Sequence, residues 1–165
     1  GTMFTSRKDE ELAILADRIA EARNSIRHGS DFRAADSLRL LPRVSVGRSV
    51  YPDNGEEKET TVSLSFNSSQ IYIINEKRLS RRRNRMKALR EVESQGFLIR
   101  SLIGRKYLLM EQMWEFRQIR ASMSSPAEIV AMDEKLRVLD VAIQELDIQI
   151  EKAYAVIDFT VIGVE

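Results

Sequence analysis

The stretch that decides the fold is a pair of short alternating segments, Leu40-Leu41-Pro42-Arg43-Val44-Ser45-Val46-Gly47 and Thr61-Val62-Ser63-Leu64-Ser65-Phe66. In both segments apolar residues alternate with small or polar ones, which is the period of a β-strand with two different faces. The residues between them, 52–59, are rich in charge and in turn formers. The sequence therefore predicts an antiparallel hairpin with strands at 43–51 and 60–67.

The alternation divides the predicted hairpin into an apolar face and a polar face. The apolar face contains Val44, Val46, Val50, Val62, Leu64 and Phe66, and the other face contains Ser45, Gly47, Ser49, Ser63 and Ser65. A two-stranded hairpin alone is marginally stable in water. We therefore expect the hairpin to need further strands or helices as partners.

Composition and charge exclude several classes of function. The chain has 165 residues, of which 43% are apolar and 31% charged, a balance typical of a helix-rich globular domain. The net charge of +1 argues against a protein dominated by affinity for nucleic acid. Cysteine is absent and His28 is the single histidine, which disfavours a zinc site. No catalytic motif or glycine-rich phosphate loop is present, so the sequence predicts neither an enzyme nor a cofactor.

The three prolines mark the breaks between the predicted elements. Pro42, Pro52 and Pro126 lie outside every stretch of helical periodicity. We predict helices at 6–41, 69–122 and 125–162, with a weak point at Gly29 and Ser30, in a single domain that covers residues 1–165. No apolar run approaches the ~20 residues of a membrane-spanning helix.

The last predicted helix carries the most regular apolar pattern of the chain. Its main row alternates spacings of three and four residues: Ile129, Met132, Leu136, Leu139, Ile143, Leu146, Ile150, Ala153 and Ile157. This spacing is typical of a coiled-coil seam. A second row lies beside it: Val138, Val141, Ile148, Ala155 and Ile162. The helix is therefore expected to have neighbours on more than one side, although an ordinary antiparallel helical hairpin also explains the main row.

The densest charge cluster lies in the long middle helix. It contains Lys77, Arg78, Arg81, Arg82, Arg83, Arg85, Lys87 and Arg90. Such a cluster can bind the phosphates of nucleic acid or of lipid headgroups. No aromatic residue is interleaved with the arginines, so nucleic acid is the least favoured partner. A basic girdle of Arg81, Arg82, Arg83 and Arg85 beside a membrane, or a solvated helix face, fits the pattern better.

The order of elements resembles one repeat of the TolC-like outer-membrane efflux and export proteins. Three stretches carry the resemblance: residues 34–46, where a helix exits through Leu40-Leu41-Pro42 into a strand; residues 62–66 with the arginine-bearing helix that follows; and residues 125–163 with Leu139-Asp140, Tyr154 and Ile162-Gly163. The resemblance implies a mainly helical fold of long antiparallel helices with one hairpin whose strands form a barrel through oligomerisation. It also implies an outer-membrane channel with a periplasmic helical extension, acting as a passive conduit for an inner-membrane pump.

The resemblance assigns roles to the hairpin faces and to the turn between the last two helices. The apolar strand face would contact lipid, and the polar face would line the lumen. Family members usually carry two such repeats, so six copies of this chain would close a barrel that has no free edge. Ser124, Ser125, Pro126 and Glu128 would form the tunnel tip, where a periplasmic adaptor is an expected partner.

Two alternatives stay open at the sequence level. Glu128 could belong to a ring of carboxylates that selects cations, or it could be a carboxylate that stabilises the start of its own helix. The whole chain could instead be a soluble coiled-coil interaction or structural protein whose hairpin caps the helices.

Overall fold

The computed structural model describes residues 2–29, 43–50, 58–65 and 68–164. The elements are helix α1 (Thr2–Arg27), strands β1 (Arg43–Val50) and β2 (Lys58–Ser65), and helices α2 (Ser68–Ala121) and α3 (Pro126–Ile162). The described part of the chain is thus mainly helical with one small antiparallel hairpin, which confirms this much of the expected fold class. Contacts divide the chain into one unit of Gly1–Gly29 with Arg85–Glu165 and a second unit of Ser30–Asn84.

Helix α1 ends at Arg27, close to the weak point that the sequence predicts at Gly29 and Ser30. The His28 amide still donates to the Asn24 carbonyl at 3.0 Å, and the Gly29 carbonyl accepts a hydrogen bond from the Arg85 guanidinium. A cation at a helix carboxyl end satisfies a free carbonyl and interacts favourably with the helix dipole. Residues 30–41 of the predicted helix lie outside the described residues.

The first unit is held by a core to which all three helices contribute. The buried side chains are Leu15, Ala22 and Ile26 of α1, Ala88, Val92, Ile99, Leu102, Ile103 and Tyr107 of α2, and Leu146, Ile150, Ala153, Tyr154 and Ile157 of α3. Helices α1 and α2 are in close contact at Gly96, where an added Cβ would lie 2.4 Å from Cδ1 of Ile19. A glycine permits this close contact because it has no side chain.

Ion pairs define the directions of the three helices in this unit. Helix α1 runs antiparallel to α2, since Glu11 pairs with Lys106 at 2.9 Å and Arg23 pairs with Glu93 at 3.0 Å. Helix α3 is also antiparallel to α2. The contacts that show this join Lys106 to Asp147 at 2.9 Å and Arg120 to Asp133.

The two apolar rows of α3 have different environments. The main row faces inward: Met132, Leu146, Ile150, Ala153 and Ile157 are buried, and Ile129, Leu136, Leu139 and Ile143 are partly buried. The second row is exposed throughout, with Ile148 54% accessible and Ile162 65% accessible. Helix α3 thus contacts α2 through Asp147 and α1 through Asp158, whereas its second row has no cover from the described residues.

Candidate functional site

The hairpin of β1 and β2 has the two faces that the alternation of the sequence predicts. The register pairs Val44 with Leu64 and Val46 with Val62, so the apolar positions of the two strands share one face. The same register pairs Ser45 with Ser63, whose hydroxyl oxygens lie 2.5 Å apart. Directly opposed side chains of an antiparallel pair stabilise the sheet.

The centre of the apolar face of the hairpin is exposed among the described residues. Val46 is 66% exposed and Val62 is 60% exposed, and among the described residues the sheet has only these two strands. Both outer strand edges therefore keep backbone groups available for pairing.

The remaining predicted strand residues are placed by register or fall outside the description. Gly47 pairs with Thr61, Ser49 with Glu59, Val50 with Lys58, and Arg43 with Ser65. Phe66, which we predicted on the apolar face, lies outside the described residues. Register alone therefore assigns the apolar and polar positions of the strands beyond the central pairs.

The predicted tip is the tight turn between α2 and α3. Ser122 closes the end of α2 with its hydroxyl 2.7 Å from the Ile119 carbonyl oxygen. Ser125 is the N-cap of α3 in an extended conformation, and Pro126 is the first residue of the helix, where its missing amide hydrogen costs nothing. Glu128 lies exposed in the first turn of α3. Ser124 is also exposed, so these polar side chains are accessible together at one end of the helical hairpin.

One ion pair fastens the two helices next to this tip. The Arg120 guanidinium donates through two nitrogens to the two carboxylate oxygens of Asp133. The hydrogen bond from Arg120 holds the pKa of the Asp133 carboxyl below its usual range. Bidentate geometry fixes the relative position of two side chains more strictly than a single contact does. The pair therefore links α2 to α3 within about three turns of the tip.

The predicted basic girdle is divided between the two units. In the second unit Arg82 and Arg83 are exposed and Arg81 is partly buried. Lys77 and Arg83 line a shallow groove of about 370 Å³ together with Glu76, so acidic and basic groups mix there. Arg85 belongs to the first unit, where it donates to the Gly29 carbonyl at the end of α1. Arg85 thus has a structural contact that the sequence did not predict.

A polar cluster inside the first unit was missed by the sequence analysis. The Lys106 ammonium contacts Glu11 of α1 and Asp147 of α3, both at 2.9 Å, and the Tyr107 hydroxyl donates to Glu11 at 2.9 Å. The Lys106 side chain is only 14% exposed. The available signal was its position: Lys106 continues the inward row of Ile99, Leu102 and Ile103 at helical spacing.

Protonation in this cluster follows from burial and hydrogen bonding. Burial lowers the pKa of Lys106, but the hydrogen bonds to Asp147 and Glu11 outweigh it, so the pKa ends above its ordinary value. Burial and the hydrogen bond to Glu11 raise the pKa of Tyr107 to about 12. At neutral pH both groups therefore keep their protons and join the three helices.

None of the helices in the described part of the chain has a stretch that is both long and apolar enough to span a bilayer. Comparison of the sequence and structure with protein-family models, with curated proteins and with solved structures gives no match.

Proposed function

We propose that the protein is a channel-forming subunit of an outer membrane, similar to TolC-like efflux and export proteins. In this proposal its hairpin supplies two strands of a shared barrel and its helices form a tunnel wall. The channel is a passive conduit that works with an inner-membrane pump and a periplasmic adaptor. Six copies with two strands each would give twelve strands.

The observation that carries the proposal is the two-faced hairpin with an uncovered apolar side. Val46 and Val62 lie opposite each other and are more than half exposed, whereas Ser45 and Ser63 pair on the other face. Strands of a membrane barrel need this alternation, apolar toward lipid and polar toward the lumen. The open edges on both sides provide the hydrogen-bonding positions through which further hairpins can join.

The length of the strands agrees with this role. Each strand has eight residues, close to the ~9 to 11 residues that cross a bilayer at a tilt. Arg48 and Thr60 are paired in register at positions on the apolar side, toward the turn between the strands. A charge there is tolerated near the membrane interface, where it costs about 0 to 1 kcal/mol.

Substitution of the two hairpin faces tests the proposal. Val62→Lys places a charge on the apolar face and should prevent assembly, since a lipid-facing lysine costs ~2 to 4 kcal/mol near the midplane and recurs in every copy. Ser63→Lys is the matched control on the neighbouring polar face and should still assemble. The measurement is the cross-linked mass of the full chain in detergent, with channel conductance in planar bilayers.

A closed assembly near six copies that conducts ions supports the channel. A monomer or dimer that is soluble without detergent would instead identify a coiled-coil interaction protein, provided that neither Val62→Lys nor Ser63→Lys changes its mass.

A further inference from the structure

Two helices of the first unit carry rows of apolar and small residues on their outward faces. The outer row of α3 consists of Val138, Val141, Ile148, Ala155 and Ile162, and the outer row of α2 consists of Phe97, Ser101, Gly104 and Leu108. Phe97 is 77% exposed and Leu108 is 65% exposed. Four residues of the α3 row are spaced seven apart, the repeat of a helix that packs along its whole length against another helix.

The third helix of the unit does not share this property. The outward positions of α1 include Glu10, Asp17, Glu21 and Asn24, with Ile14 and the small Ala13 and Ala20 beside them, all exposed. Outer rows with several large apolar side chains are therefore found on α2 and α3. A contiguous apolar surface on selected elements marks an interaction site rather than ordinary surface composition.

Gly104 points to a close partner on the outer row of α2. A Cβ added at Gly104 would meet nothing within 4 Å, so no contact with the described residues requires a glycine there. A glycine inside a helix lowers helix stability relative to alanine. On the outer row it leaves a recess between Phe97 and Leu108 into which a side chain of another molecule can fit.

We propose that the outer row of α3 of one copy packs against the outer row of α2 of the next copy. The inference rests on the proposed assembly of several copies and adds which faces meet. It predicts that large side chains of one row face small residues of the other row. The Lys106–Asp147 contact sets residues 106 and 147 at one level along the helices. In copies that stand level around a common axis, Ile148 then meets the recess at Gly104.

The size match continues along the helices. About two turns from Ile148, Ala155 of α3 comes level with Phe97 of α2. A large side chain thus faces a small one at both levels, with Ile148 over Gly104 and Phe97 over Ala155. Alternation of large and small residues across facing helices is how such layers interdigitate.

Charges along the two rows are complementary. Arg100 and Arg105 flank the outer row of α2, and Glu145 and Glu151 flank the outer row of α3. All four are exposed, and none of them forms an ion pair with another residue in the described part of the chain. In the level arrangement Arg100 comes beside Glu151 and Arg105 beside Glu145. Flanking pairs of this kind select partner and orientation in packed helices.

The charges also favour contacts between different faces. Two α2 rows would bring Arg100 and Arg105 near other arginines, and two α3 rows would bring Glu145 and Glu151 near other glutamates with only the exposed Lys152 to offset them. The contact is therefore heterologous, and repeated around an axis it closes into a ring.

Disulfide trapping in the full chain tests the inference, because the protein has no native cysteine. The variant with both Gly104→Cys and Ile148→Cys carries its thiols on outward faces of different helices, so a disulfide must join two copies. Under mild oxidation in detergent it should give a covalent ladder that ends at the closed ring. Either single variant should stay uncrosslinked, since a heterologous contact never places residue 148 against itself.

Charge reversal provides a second readout. Glu151→Arg should raise the dissociation constant of the assembly by about tenfold. Adding Arg100→Glu in the same chain should restore assembly, whereas Gln149→Glu, an exposed change outside the row, should leave it unchanged.

The outcomes separate this inference from the proposed channel. An assembly that conducts ions but gives no ladder from the double variant would overturn the facing of α3 and α2 while leaving the channel. Disulfide-linked dimers of the Ile148→Cys variant alone would show that two α3 helices meet, which contradicts the α3–α2 contact. A chain that stays monomeric would overturn the inference outright. A full ladder without conductance would retain the contact and reject the channel.

Discussion

At the scale of single residues, Lys106 decides how the three helices of the first unit are joined. Its ammonium lies between one carboxylate from α1 and one from α3, in a position that apolar side chains otherwise occupy. A charge that is largely removed from water is stable only with partners. No pattern in the sequence distinguishes Asp147 from the other acidic residues of α3, and its contact with Lys106 does.

Replacement of Asp147 by alanine should destabilise the first unit. The change leaves the Lys106 ammonium with a single carboxylate, and we expect a loss of about 1 to 3 kcal/mol in the free energy of unfolding. Asp140→Ala is the matched control, since Asp140 is exposed and accepts one hydrogen bond from Gln144 of the same helix. That variant should stay within about 0.5 kcal/mol of the parent. Urea unfolding followed by circular dichroism measures both, and equal losses would contradict the role of Lys106.

Alkaline pH should weaken the same cluster. The pKa of Tyr107 is raised to about 12 in the folded chain, and the pKa of Lys106 is also raised. Groups with raised pKa values stabilise the fold fully below their unfolded pKa, and this contribution is lost as pH rises through the folded value. Stability should therefore fall between about pH 10 and 12, by about 2 kcal/mol for Tyr107.

Tyr107→Phe provides the check on the alkaline effect. An absorbance titration of tyrosinate should show that this variant lacks the step near pH 12, with the earlier steps retained. Its stability should also vary less between pH 10 and 12 than that of the parent. A full set of tyrosines titrating near pH 10 in the parent would contradict the buried hydrogen bond to Glu11.

At the scale of elements, α3 presents two apolar rows that sequence periodicity alone makes equivalent. The main row was predicted as a seam and lies inward, because its alternating spacing of three and four stays on one side of the helix. The second row was predicted to have a neighbour, but no periodicity states whether that neighbour belongs to the same chain. The end of α1 near Gly29 had a local signal in the sequence, whereas the hydrogen bond from Arg85 to the Gly29 carbonyl joins residues 56 positions apart and had none.

Two isoleucines of α3, only two residues apart, test the assignment of the rows. Ile150 is buried and Ile148 is half exposed. Ile150→Asp places an unpaired carboxylate in the core and should cost about 3 kcal/mol or more. Ile148→Asp should leave the unfolding free energy of the isolated chain nearly unchanged. Thermal melts by circular dichroism distinguish them, and comparable losses in the two variants would mean that the rows are misassigned.

At the scale of the whole molecule, the hairpin and the helices could be predicted from the sequence to different extents. Strand alternation placed Ser45 and Ser63 on one face and Val46 and Val62 on the other, since a period of two leaves only that choice. The cluster around Lys106 could not be predicted in the same way. Its partners Glu11 and Asp147 come from helices that are far apart in the chain, and only packing brings them together.

The ion pairs of the first unit also imply an order of folding. Arg120 and Asp133 are separated by 13 residues, whereas Lys106 and Glu11 are separated by 95. Closing a short loop loses less chain entropy than closing a long one, so we expect the hairpin of α2 and α3 to form first and α1 to dock onto it afterwards. Backbone amides of α1 should then exchange with solvent deuterium before those of the core of α2. Helix α1 should also be the first segment to detach when a mechanical force pulls on the protein.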